Sequence, residues 1–190
     1  MWKYGSRVIR ENKAWTDDDG IQHPRNWPIW SADEKAEAGL VEVTPETPPD
    51  SRLYNWGYQA DGVTISSTAK SITDINVVDD NGDPVLDENG DQVVQLGVRS
   101  ELKAEVKQQQ GSLLSQTDWA VTRKAEKTTA IPNNISTWRD AIRTKATAME
   151  SAIDGAADTA AVAALFLSYT LEDDGSTTKS GILYDWPELG

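Results

Sequence analysis

No cysteine occurs anywhere in the 190 residues. That excludes disulfides, thiolate metal sites and a cysteine nucleophile, and it fits folding in a reducing compartment. Histidine is nearly absent too: His23 is the only one, it adjoins Pro24, and no second imidazole exists to complete a catalytic pair. Glycine-rich phosphate loops, serine elbows and zinc-ligand pairs are missing. The longest apolar run, around 160–167, is too short and too rich in alanine to span a bilayer. The opening Met1-Trp2-Lys3-Tyr4-Gly5-Ser6 lacks the apolar centre of a signal peptide. A soluble protein is expected, with no catalytic residue, no cofactor and no membrane partner.

Positive charge is scarce as well. Residues 1–95 hold 8 Lys/Arg against 18 Asp/Glu and residues 96–190 hold 10 against 13, so the halves carry −10 and −3 of the total −13. Nucleic-acid binding rests on neutralising phosphates with Lys and Arg, so an acidic chain of this kind predicts no nucleic-acid partner. Aspartates crowd several turns, but an EF-hand loop needs an oxygen ligand five residues before its glycine. Counting back from Gly82, Gly90, Gly20 and Gly175 gives Val77, Val85, Trp15 and Thr170. No metal site is therefore expected, and the aspartates read as turn formers.

What is present divides into four segments. In residues 1–44, Trp2, Tyr4, Val8, Ile9 and Trp15 read as short strands, Asp17-Asp18-Asp19-Gly20 as a tight turn, and His23-Pro24 to Pro28 as irregular chain. Ser31-x-x-Glu34 is a capping box, the helix it opens ends at Gly39, and Leu40–Val43 returns as a strand. Residues 45–62 read as an acidic, proline-rich linker, followed by Tyr54, Trp56 and Tyr58 at strand spacing. Residues 63–97 read as a β meander, with Asp80-Asn81-Gly82-Asp83-Pro84-Val85 echoed eight residues later by Glu88-Asn89-Gly90-Asp91-Gln92-Val93.

Residues 98–190 read as an antiparallel helical bundle with an aromatic tail. Val98, Leu102 and Val106 mark a helix ending at Gly111. Thr117 caps a second, and a third starting near Pro132 carries Ile135, Trp138, Ile142, Met149 and Ile153 on one face. Asp158 to about Leu167 forms a fourth. Ile182-Leu183-Tyr184 and Trp186-Pro187 are too apolar to float and are expected to dock. The predicted fold class is α+β: a tryptophan-rich N-terminal module, a β meander and the helical bundle.

Eight tryptophans are present. Trp2, Trp119 and Trp138 are expected in cores. Trp27 and Trp30 stand open between core, a protein contact and a sugar-stacking platform. With Arg139 and Arg143, predicted one turn apart on a polar helix face, they are the candidate partner surface.

One stretch goes further. Gly111-Ser112-Leu113-Leu114-Ser115-Gln116-Thr117-Asp118-Trp119, Ile131-Pro132 and Trp138-Arg139-Asp140-Ala141-Ile142-Arg143 together resemble the tail assembly chaperone and tail fibre assembly proteins of tailed phages. That pattern is a leucine pair, Thr-Asp-Trp, a proline, then an aromatic-Arg-x-Ala-Leu-Arg helix. Here Trp138 stands where a tyrosine is usual and Ile142 replaces the leucine. The N-terminal segment, with Trp15-Thr16-Asp17-Asp18-Asp19-Gly20-Ile21 and His23-Pro24, looks like the openings of small uncharacterised proteins of marine phages. The resemblance implies phage tail biology with other tail or fibre proteins as partners. The chain is then either a part of the virion tail or an assembly chaperone confined to the host cytoplasm, and self-association stays open.

Overall fold

The computed structural model describes residues 1–190. The fold is α+β, with helices beside small antiparallel sheets, and the chain divides into two compact units, Met1–Ala69 and Lys70–Gly190. No helix is long and apolar enough to cross a membrane.

In the first unit β1 (Trp2–Tyr4) lies between β2 (Arg7–Ile9) and β5 (Leu40–Glu42), antiparallel to both. Beside this sheet are the short pair β3 (Trp15–Thr16) and β4 (Gln22–His23), a 3-10 turn at Trp27–Ile29, and α1 (Ala32–Glu37). The capping box is formed: the Ser31 N–H donates to Glu34 Oε2 at 2.7 Å and the Glu34 N–H donates back to Ser31 Oγ at 3.2 Å. Gly39 ends α1 at φ 72°, where a Cβ would stand 3.0 Å from the Tyr4 ring, so both backbone and packing demand glycine. The core is Ile9, Trp27 and Leu40, with Trp2, Tyr4, Trp15 and Trp30 packed around them. The proline-rich stretch has no regular structure up to Asp50, but β6 (Tyr54–Tyr58) pairs with β7 (Ile65–Ala69), so the expected linker ends in a hairpin. Asp61 shapes its turn by accepting from the Thr64 hydroxyl and from the Val63 and Thr64 N–H groups. These donors, the Thr64 hydroxyl foremost, hold its carboxyl at about 2.

The unit boundary at Ala69/Lys70 corrects the expected break near residue 97. Residues 70–97 belong with the helices because the Val98 and Arg99 N–H groups donate to Ser71 and Ile72, and the Gly97 N–H donates to Asp74 Oδ1 at 2.8 Å. A Cβ on Gly97 would lie 2.4 Å from the Thr73 backbone. The expected meander is a closed ring of three short antiparallel pairings: β8 (Ile75–Asn76) with β9 (Val94–Gln95), Val78 with Pro84, and Leu86 with Gln92. Its hydrogen bonds run in a circle. Val85 N–H donates to Val77, Val93 N–H to Val85, and Val77 N–H to Val93. The Gln92 side-chain amide lies at the centre, with Nε2 2.7, 3.1 and 3.0 Å from the carbonyl oxygens of Val77, Val85 and Val93.

The helical part is α2 (Val98–Ser115), α3 (Asp118–Lys127), α4 (Asn133–Gly155) and α5 (Thr159–Ala163). Val98, Leu102 and Val106 of α2 are buried, as are Ile135, Trp138, Ile142, Met149 and Ile153 of α4. The two helices are antiparallel: Arg99 reaches the Ala156 carbonyl and Lys103 pairs with Asp154 at one end, while Arg139 reaches Leu114 at the other. Burying each such side chain contributes about 1.5–3 kcal/mol. Two boundaries differ from expectation. α2 runs through Gly111, whose position is open and exposed, to Ser115. α5 stops at Ala163 because the returning chain takes the Leu165 carbonyl, which accepts from Ile182 and Leu183 N–H at 2.8 Å each. Between them β10 (Ser168–Leu171) and β11 (Thr177–Ser180) form an exposed hairpin. The C-terminal segment is docked as expected. Leu183 is fully buried, Tyr184 donates to Glu105, Trp186 to Gln109, and the Pro187 carbonyl accepts from Trp138.

Candidate functional site

The stretch that carries the phage resemblance folds into the corner joining α2, α3 and α4. Past Leu113 and Leu114 the chain tightens, with the Gln116 and Thr117 N–H groups donating to those two carbonyls. Thr117 is the residue before α3 and is buried, but its hydroxyl does not cap the helix. It donates to the Leu114 carbonyl and accepts from Arg139. Arg139 sits on α4 at 8% exposure, and one guanidinium nitrogen lies 2.7 Å from Leu114 O, 2.8 Å from Thr117 Oγ1 and 2.9 Å from Asp118 Oδ1. The Leu114 carbonyl, Thr117, Asp118 and Arg139 are thus parts of one polar lock that ties the corner between α2 and α3 to α4. A buried guanidinium is tolerated because it is paired and hydrogen-bonded.

Two expectations change places here. Arg139, read as half of a polar surface with Arg143, is inside and committed to the lock. Trp119, read as core, is 52% exposed, with the Arg123 guanidinium 5.0 Å from its ring centroid and Val121 also exposed. Trp138 is buried as expected, its indole N–H donating to Pro187 at 2.8 Å. Arg143 is exposed and paired along its own helix with Asp140 at 3.0 Å. Trp119 and Arg123, four residues apart, therefore present an aromatic ring with a cation stacked on it along one side of α3, a combination typical of interface hot spots.

The N-terminal candidates also separate. Trp27 has no exposed surface, meets Trp2 edge to face, and donates to Lys13 O at 3.1 Å, so it is core and cannot form a surface or a sugar platform with Trp30. The segment around it is irregular in sequence, yet the 3-10 turn at Trp27–Ile29 drives this indole under the sheet. Trp30 is half-buried and meets His23 at 5.8 Å and 72°. His23 stacks on Trp15 at 4.0 Å, and its Nε2 lies 3.0 Å from Asp17 Oδ2. Asp17 is held below its ordinary pKa; desolvation is the largest influence and opposes this, and the His23 contact with the Ile21 and Asp19 N–H groups outweighs it.

No three His, Asp or Glu side chains converge where they could hold a metal ion. The aspartates of the Asn-Gly turns spend their oxygens locally. Asp79 Oδ1 accepts from Asn81 and Asp83 N–H, and Asp87 Oδ1 from Asn89 and Asp91 N–H. Comparison with protein-family models, curated proteins and solved structures gives no match.

Proposed function

We propose that the chain is a tail-associated protein of a tailed bacteriophage, a structural part of the tail or its fibres that binds another phage protein through the outward side of α3. The observation that carries this reading is the division of labour within the phage-like stretch. Its polar members close the corner, and its tryptophan stands half exposed with Arg123 over its face. An exposed indole at a fixed corner suits partner anchoring, because a rigid aromatic loses little entropy on binding. On this reading the protein is a binding module and not an enzyme: its one imidazole is already engaged by Asp17 and Trp15.

The test is co-purification from infected cells of tagged parent protein, Trp119→Ala and Trp56→Ala, an exposed tryptophan of the other unit. Loss of one tail or fibre protein with Trp119→Ala alone supports the reading. Equal recovery with all three removes α3 as the contact.

A further inference from the structure

Trp30, His23, Glu34, Glu37 and Ala38 line a surface depression of about 380 Å³ in the first unit. Glu34, Glu37 and Ala38 share one side of α1, being three and four residues apart, and Trp30 immediately precedes the Ser31 cap. No Lys or Arg lines the depression. Its walls are an indole, an imidazole and two carboxylates.

We infer that this depression is a binding site for a guanidinium group, the side chain of an arginine presented by a basic protein surface. Three observations favour that occupant. Glu34 is held ionised by the Ser31 N–H and hydroxyl, both of which donate to Oε2 at 2.7 and 2.9 Å, leaving Oε1 for a ligand. Glu37 is exposed and makes no ion pair within the chain. And the unit already places cations over its aromatic rings, with Lys35 4.7 Å from the Trp2 centroid and Arg7 5.3 Å from that of Tyr4. Trp30 is the indole that stands beside unpaired carboxylates instead of beside its own cation.

Guanidinium fits these walls better than other cations. It is flat, stacks on an indole and donates from several N–H groups to more than one carboxylate at once. A lysine ammonium is a compact, strongly hydrated charge that matches only the carboxylates. A quaternary ammonium donates no hydrogen bond and needs several aromatic walls; here there is one indole. Nucleic acid and acidic surfaces are disfavoured by charge, since residues 1–69 hold 7 Lys/Arg against 11 Asp/Glu, a net −4. The inference goes beyond the α3 surface and is independent of it, because it concerns the other unit and a different chemistry.

The experiment is an NMR titration of the full chain at low ionic strength with Nα-acetyl-arginine N-methylamide, its lysine counterpart and choline as probes. The readouts are the Trp30 indole N–H and the Ala38 amide. The expected result is a saturable shift of both signals with the arginine probe, at least fivefold weaker binding of the lysine probe and no saturable shift with choline. Glu37→Gln, an exposed change that leaves the capping box intact, should weaken the arginine probe at least threefold, and Trp30→Phe should retain part of the affinity by keeping a stacking face. Three outcomes overturn the inference: equal binding of choline, an unchanged affinity in Glu37→Gln, or shifts spread evenly over all the indole signals.

Discussion

Arg139 and Trp119 sit in the same corner and show how residue type misleads when surroundings are unknown. A guanidinium is ordinarily at the surface and an indole inside, yet Arg139 is buried with three acceptors in reach while Trp119 is 52% exposed with Arg123 over its ring. The consequence is measurable. Arg139→Met should cost about 1–3 kcal/mol by taking the donor away from the buried Thr117 hydroxyl oxygen and from the Asp118 carboxylate. Trp138→Ala should cost about 3–5 kcal/mol through the cavity it opens, whereas Trp119→Ala should stay within about 0.5 kcal/mol. Denaturant melts of the three variants check this order, and a large loss for Trp119→Ala would mean the indole is structural after all.

Asp61 supplies a pH prediction at the same scale. Its carboxyl lies at about 2 in the fold against an ordinary 3.8. A depressed carboxyl stabilises the fold above its unfolded value, and that contribution is lost as pH falls through the folded one. The melting temperature of the parent should therefore fall between about pH 4 and pH 2, and Asp61→Asn should show a shallower fall over that window. Parallel curves would show that the Thr64 and Val63 bonds contribute nothing through ionisation.

At the scale of elements, one turn recurs four times. In each of Asp17–Ile21, Asp79–Asp83, Asp87–Asp91 and Glu172–Ser176 the first N–H donates to the fifth carbonyl and the glycine N–H donates to the first carbonyl. The glycines take φ of 83°, 87°, 85° and 81°. Gly82→Ala or Gly90→Ala should each cost about 1 kcal/mol or more, because an L side chain is strained there. Gln92 ties two of these turns into the ring, so Gln92→Glu sets a carboxylate against three carbonyls and should cost about 1–3 kcal/mol. Thermal melts of the two glycine variants and of Gln92→Glu measure this, and a parental melt for Gln92→Glu would show that the central amide is dispensable.

Turn chemistry and the Ser31–Glu34 box were legible in sequence because local hydrogen bonds alone decide them. The buried stripe of α4 was legible for the same kind of reason, since its 3.6-residue period names a face. Helix ends were harder. Gly111 costs about 1 kcal/mol inside a helix, yet the half-buried Leu113 and Leu114 beyond it extend α2 to Ser115. α5 ends early because the chain at Ile182 and Leu183, some twenty residues downstream, returns to bond the Leu165 carbonyl. Ring closure was not legible at all: the two Asn-Gly turns announced hairpins, but the three-way pairing depends on Val77 meeting Val93, a long-range contact that no local signal encodes.

For the whole molecule, the boundary at Ala69/Lys70 is the structural statement with the widest reach. Residues 70–190 expressed alone should melt in one cooperative transition, whereas residues 98–190, stripped of the ring and of the Asp74–Gly97 bond, should melt earlier or not fold. Equal melts for both fragments would move the boundary to residue 97. The most direct measurement of the central claim, tail association, is quantitative mass spectrometry of gradient-purified particles beside lysate from the same infected cells. Peptides of this chain are expected in the particles at a fixed ratio to the major tail protein. Abundant peptides in the lysate with none in the particles would contradict a structural role and leave the transient assembly chaperone in its place.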